Sequence, residues 1–127
     1  MNIEVFYHYK FRFIFEEELF NVYKKRINDI PKNIISKFQN YDFTHIIGIG
    51  GGSSMDVAKI VALLAHPKCK QQLSDIYGVN NARGERLPLI QVPTTAGTGS
   101  EVTPVAIVTT GETTKMGAVT SLFLPDI

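Results

Sequence analysis

The chain predicts an α/β fold, on the strength of two short apolar runs and the glycine-rich segments after them. The first run, "THIIGIG" at residues 44–50, is β-branched and opens directly onto Gly51 and Gly52. The second, "LPLIQVP" at 87–93, opens onto "TTAGTGSEVT", which is rich in glycine and small hydroxyls. Between them lies a helical pattern with Met55, Ala58, Val61, Ala62 and Ala65 on one face. Strand, glycine turn, helix and strand is the order of a βαβ unit, whose strands run parallel. Near-continuous apolar runs are expected of strands buried on both faces of such a sheet. The expected architecture is a Rossmann-like parallel sheet with flanking helices, extended by a β-hairpin.

Residues 3–15 alternate aromatic and polar groups, with Phe11, Phe13 and Phe15 set against Arg12, and read as a half-exposed strand. From Glu16 to about Ile27, Leu19, Phe20, Tyr23 and Ile27 recur at helical spacing. Pro31 opens a second short helix carrying Ile34, Ile35 and Phe38, as a proline in a first helical turn does. After the first buried strand, a helix is expected from about Ser54 to Ala65 with Ser53 as its cap. A polar connection containing Gly78, Asn80, Asn81 and Gly84 leads to the second strand. The segment "VAIVTTGETTKMGAVT" then reads as a hairpin: Val105 to Thr109, a turn around Gly111, and a return through Met116 to Val119.

Composition narrows the function classes. A length of 127 residues is one domain's worth of chain, and 44% hydrophobic against 20% charged residues is a globular balance. The formal net charge of +1 argues against a nucleic-acid surface. Lys24, Lys25 and Arg26 stand close to Glu16, Glu17 and Glu18, as on a solvated helix face. Cys69 is the single cysteine, so no intrachain disulfide forms and a reducing, cytoplasmic setting fits. The start "MNIEVFYHYKFRFIF" lacks the apolar core of a signal peptide, and no run approaches the ~20 residues of a membrane span.

Three successive glycines lose more backbone freedom on folding than any other residues would, so the turn must need bare backbone. One use is an anion: amide N–H groups at a helix N-terminus approach a phosphate closely where no Cβ intervenes. Another needs no ligand, because Ser53-x-x-Asp56 is a variant of the capping box. The familiar phosphate fingerprints do not match. Gly48-x-Gly50 begins a G-x-G-x-x-G, but Ser53 stands at the third glycine's place, and no Gly-Lys-Ser/Thr comes after it. The second loop adds Thr94, Thr95, Thr98 and Ser100, whose hydroxyls suit phosphate oxygens or a carboxamide, or else simply cap a turn. At the carboxyl ends of two parallel strands, both loops would face one crevice.

"GGGSSMDVAK" and "PTTAGTGSEVT", about 40 residues apart, together resemble the iron-containing (group III) alcohol dehydrogenases of the dehydroquinate-synthase-like fold. The "KMG" of the hairpin and the closing "LPDI" extend the resemblance over about residues 40–127. It implies a nucleotide-binding α/β domain followed by a helical, metal-binding one. It places Gly51, Gly52 and Ser53 on the pyrophosphate of NAD or NADP, with Asp56 in the same motif. Thr94, Thr95 and Thr98 would contact cofactor, and Lys115 matches a cofactor-proximal lysine.

Two departures go with the match. The family holds its divalent metal, iron or zinc, with one Asp and three His of the helical domain, which lie beyond residue 127. Here His8, His45 and His66 are scattered and read as structural. The family's opening strand, glycine turn and acidic residue are not visible in residues 1–40, a diverged or atypical segment. The resemblance therefore implies one truncated dinucleotide-binding domain over 1–127, with neither catalytic residues nor a metal site of its own. The full-length enzyme would pass hydride between a small alcohol or aldehyde and the nicotinamide, while this chain alone would turn over little and self-associate through uncovered apolar surface. The alternatives are a non-catalytic dinucleotide- or phosphate-binding fragment, or a superfamily member resembling glycerol dehydrogenase or dehydroquinate synthase.

Overall fold

The computed structural model describes residues 43–110 and 114–127. The expected strand at 3–15, the helices at 16–27 and from Pro31, the atypical segment 1–40 and the Gly111 turn lie outside the described residues.

In chain order the described elements are strand β1 (Ile46–Gly50), helix α1 (Gly52–Leu64), helix α2 (Leu73–Ile76) and strand β2 (Gly78–Val79). Strands β3 (Leu89–Pro93), β4 (Val105–Thr110) and β5 (Thr114–Val119) complete the series. Single 3-10 turns occur at Ser100–Val102 and Ser121–Phe123. Strands β1 and β3 pair in parallel, Ile46 opposite Leu89 and Gly50 opposite Pro93, with α1 as the crossover. The expected βαβ unit is present. So is the hairpin: β4 and β5 pair antiparallel, and β2 joins β5 in parallel to complete a separate sheet of order β2-β5-β4.

Helix α1 lies between the two sheets. Ala58, Val61 and Ala62 pack with Ile46, Leu87 and Leu89 under the parallel pair. On its other side Ile60, Leu63 and Leu64 pack with Ile76, Ala106, Val108, Ala118 and Phe123. The one-faced helix expected from sequence is thus buried on two faces, because "KIVALL" is apolar almost all round apart from Lys59. Ala65 is the C-cap and half-buried. Gly48 sets how closely α1 approaches the sheet, since a Cβ there would lie 2.7 Å from Ala58 Cβ.

Two expectations need correction. Among the described residues the strands are not buried on both faces: burial alternates along β1 and declines along β3, with α1 on one side of the pair. Ile47, Ile49 and Ile90 on the other side are half-buried and Val92 is exposed. Nor does Ser53 cap α1. Gly51 is the N-cap, in extended backbone, and Ser53 already sits in the first turn. The polar connection also contains α2 and β2, two elements too short to leave a periodic pattern.

The last residues occupy the free edge of β3, with Asp126 N–H donating to Leu89 O (2.9 Å) and Gln91 N–H to Ile127 O (2.8 Å). Arg86 secures them, its guanidinium donating to both Asp126 carboxylate oxygens (2.7 and 3.1 Å) and to the carbonyls of Leu122 and Leu124. These bonds from Arg86, followed by the Leu89 N–H, hold the Asp126 carboxyl down at about 2. A folded-state pKa below the unfolded value of about 3.9 stabilises the fold above that unfolded value, and the contribution is lost as pH falls towards 2. Urea unfolding at pH 7, 4 and 2.5 should therefore show Asp126→Asn less stable than the native chain at pH 7. The gap should narrow clearly by pH 2.5 without closing, since that pH is still above the folded-state value of about 2; a constant gap would remove Asp126 from the acid response.

Candidate functional site: the glycine turn and the hydroxyl loop

The site stands at the carboxyl ends of β1 and β3. Gly50 turns the chain out of β1 with φ +148°, a conformation side-chain-bearing residues rarely adopt. Helix α1 then begins with no side-chain hydrogen bond at its N-cap and no acidic residue in its first turn. An N-terminus left in that state carries unpaired amide N–H groups and the positive end of the helix dipole. Ser53 in that first turn is exposed.

The hydroxyl loop leaves β3 and folds back over this turn. Thr94 N–H donates to Gly50 O at 2.9 Å. A Cβ on Gly51 would lie 3.4 Å from Thr95 Oγ1, and one on Gly52 would lie 3.1 Å from both Thr98 Cβ and Cγ2. The bare backbone at Gly51 and Gly52 thus serves the approach of the loop as much as that of any ligand. Thr94, Thr95 and Thr98 are all exposed at the mouth.

Of the residues singled out from sequence, Gly51, Gly52, Ser53, Thr94, Thr95 and Thr98 come together. Asp56 points elsewhere. One carboxylate oxygen accepts from Ser100 Oγ at 2.6 Å and the other from the Ile107 N–H at 3.0 Å, so it forms no capping box with Ser53. Lys115 lies exposed on β5 opposite Thr109, with no ion pair among the described residues.

Sequence reasoning missed Lys59, whose side chain is fully buried. Its ammonium donates to Thr103 O (2.9 Å) and Val105 O (2.7 Å) and stands 3.5 Å from Asp56. Burial pushes the Lys59 pKa down, against Asp56 and then Glu101, which push it up. Gln91 was also missed; it is buried under α1, its Nε2 donating to Met55 O at 2.8 Å. The available signal was position: Lys59 falls on the apolar side of the helix, three residues after Asp56. Among the described residues no group of three or more His, Cys, Asp or Glu could hold a metal ion, so they do not fit a resident iron or zinc. None of their helices is long and apolar enough to cross a membrane.

Fold and site together define a βαβ crossover with an uncapped helix N-terminus and a hydroxyl loop in one crevice, the arrangement of the α/β proteins that bind ligands at strand carboxyl ends. The iron-containing alcohol dehydrogenase pattern matches residues 27–127, and the chain belongs to that family. It is 40% identical over 86 residues to a long-chain-alcohol dehydrogenase of Geobacillus thermodenitrificans, covering 67% of this chain and 22% of that protein. The crystal structure of an iron-containing alcohol dehydrogenase from Thermotoga maritima superposes with a TM-score of 0.67 at 36% identity, covering 80% of this chain and 27% of that one. A sulfoacetaldehyde reductase from Bifidobacterium kashiwanohense, solved in complex with NAD+, superposes with a TM-score of 0.63 at 34% identity, covering 74% and 25%. The chain thus spans about a quarter of the length of these relatives.

Proposed function

We propose that this chain supplies the dinucleotide-binding part of an alcohol dehydrogenase that moves hydride between a small alcohol or aldehyde and NAD or NADP. The observation that carries this reading is the helix N-terminus without cap or acid, set beside exposed threonines. The pyrophosphate would rest on Gly51, Gly52 and Ser53, where backbone amides and the helix dipole favour negative charge. Thr94, Thr95 and Thr98 offer hydroxyl donors and acceptors at the nicotinamide end, and Lys115 would add a cation from the hairpin. The bound dinucleotide supplies the hydride acceptor, while these residues bind and orient it. Support comes from the NAD+ complex among the similar structures.

Under this reading the chain alone has negligible turnover, because the described residues bring no metal site to polarise an alcohol oxygen. Its setting is the cytoplasm, and its exposed apolar side chains, such as Val79, Val102 and Ile127, favour self-association. The test is calorimetric titration of NADH into the 127-residue chain and into Thr95→Val. Heat from the native chain and a several-fold weaker affinity in the variant are expected. No heat from a chain that melts cooperatively would overturn the reading.

A further inference from the structure

We infer that Asp56 and Ser100 are positioning residues, which hold the hydroxyl loop over the glycine turn and so set dinucleotide affinity without touching the dinucleotide. This rests on the reading that the dinucleotide occupies the turn. The loop from Thr94 to Thr98 is exposed throughout, so it gains little order from burial of its own. It is strung between two anchors, both supplied by the strand–turn–helix unit beneath it. At one end the Thr94 N–H donates to Gly50 O (2.9 Å). At the other, immediately after Gly99, the Ser100 hydroxyl donates to the Asp56 carboxylate at 2.6 Å. That second anchor is sheltered: Ser100 is 5% exposed and the Asp56 side chain 14%.

Asp56 is itself held from three directions. Its other oxygen accepts the Ile107 N–H, and Lys59 Nζ stands 3.5 Å away, locked to the carbonyls of Thr103 and Val105. Both oxygens are thus engaged within the protein, which leaves the carboxylate to act through Ser100 rather than on a ligand. A hydroxyl bonded to a charged acceptor is among the stronger neutral-donor contacts, and shelter from water keeps it so. Between the anchors, Thr95 and Thr98 only rest against Gly51 and Gly52. Releasing Ser100 frees the loop at one end and leaves the glycine turn intact.

The experiment compares the native chain with Ser100→Ala in two measurements. In ligand-free amide exchange, the Val102 N–H at the released end should exchange about tenfold faster in the variant, the equivalent of one charge-assisted hydrogen bond, while the Thr94 N–H at the retained anchor changes less. The amides of α1 from Ile60 to Leu64 should be unchanged. In titrations, NADH should bind about tenfold more weakly, while ADP, which needs only the glycine turn, should bind equally well. Unchanged loop exchange, or equal acceleration in α1, would overturn the inference. So would equal weakening of NADH and ADP, the signature of general destabilisation. If the native chain binds no NADH, the dinucleotide reading fails by itself. Exchange then decides the anchor alone: acceleration confined to the loop upholds it and its absence removes it.

Discussion

Replacing Lys59 by Met should cost about 3–5 kcal/mol of folding stability, the range found when one partner is removed from a buried ion pair. Met keeps most of the stem's length and apolar volume, so the loss is electrostatic rather than a cavity. The ammonium it removes has no solvent exposure and ties α1 to the stretch from Thr103 to Val105 at the start of β4. Without it, the carbonyls of Thr103 and Val105 lose their donor, and Asp56 and Glu101 both lose the cation they act on. Glu101 already carries a buried carboxylate oxygen with no hydrogen-bond partner. Adding Asp56→Asn to Lys59→Met should recover part of the loss by discharging the orphaned carboxylate. Urea denaturation measures both. A loss below about 1 kcal/mol in the single variant would show that the pair contributes no more than an exposed one.

The second large effect falls on binding rather than folding. Gly52→Val should weaken NADH about tenfold to a hundredfold, the affinity equivalent of the 1–3 kcal/mol that overpacking typically costs. A Cβ there stands 3.1 Å from two atoms of Thr98, and the two methyls of valine extend further into the loop. Gly52→Ala separates the causes. Alanine favours a helical position over glycine, so its melting temperature should hold or rise while NADH affinity falls several-fold. Rising stability with falling affinity is the expected pattern for a residue kept bare to admit a neighbouring loop. If both variants bind NADH as tightly as the native chain, Thr98 moves aside freely and the contact has no functional weight.

The βαβ core was legible because its signals are local: two β-branched runs, each ending in glycine and hydroxyl residues, and apolar helical spacing between them. The hairpin was legible for the same reason. What was hidden depends on contacts distant in sequence. Lys59 falls on the apolar side of α1, but the carbonyls that hold its ammonium, those of Thr103 and Val105, lie more than forty residues on and are brought over it only by the fold. Ser53-x-x-Asp56 has the spacing of a cap, yet Ser100 and Ile107 claim the carboxylate once the hairpin docks. The glycines called for a close neighbour, and sequence could not tell a phosphate from Thr95 and Thr98. Strand β2 exists only because β5 lies alongside it.

The clasp between α1 and the start of β4 also bears on solubility. Ile107 N–H and Val105 C=O point away from β5, where an incoming strand would seek partners, and a carboxylate and an ammonium from the helix already occupy them. The tail at Asp126 and Ile127 does the same for Leu89 and Gln91 on β3. Unpaired edges are the usual templates for strand-by-strand aggregation. At these positions the template is filled from within, so an incoming strand meets backbone groups on β4 and β3 that are already bonded.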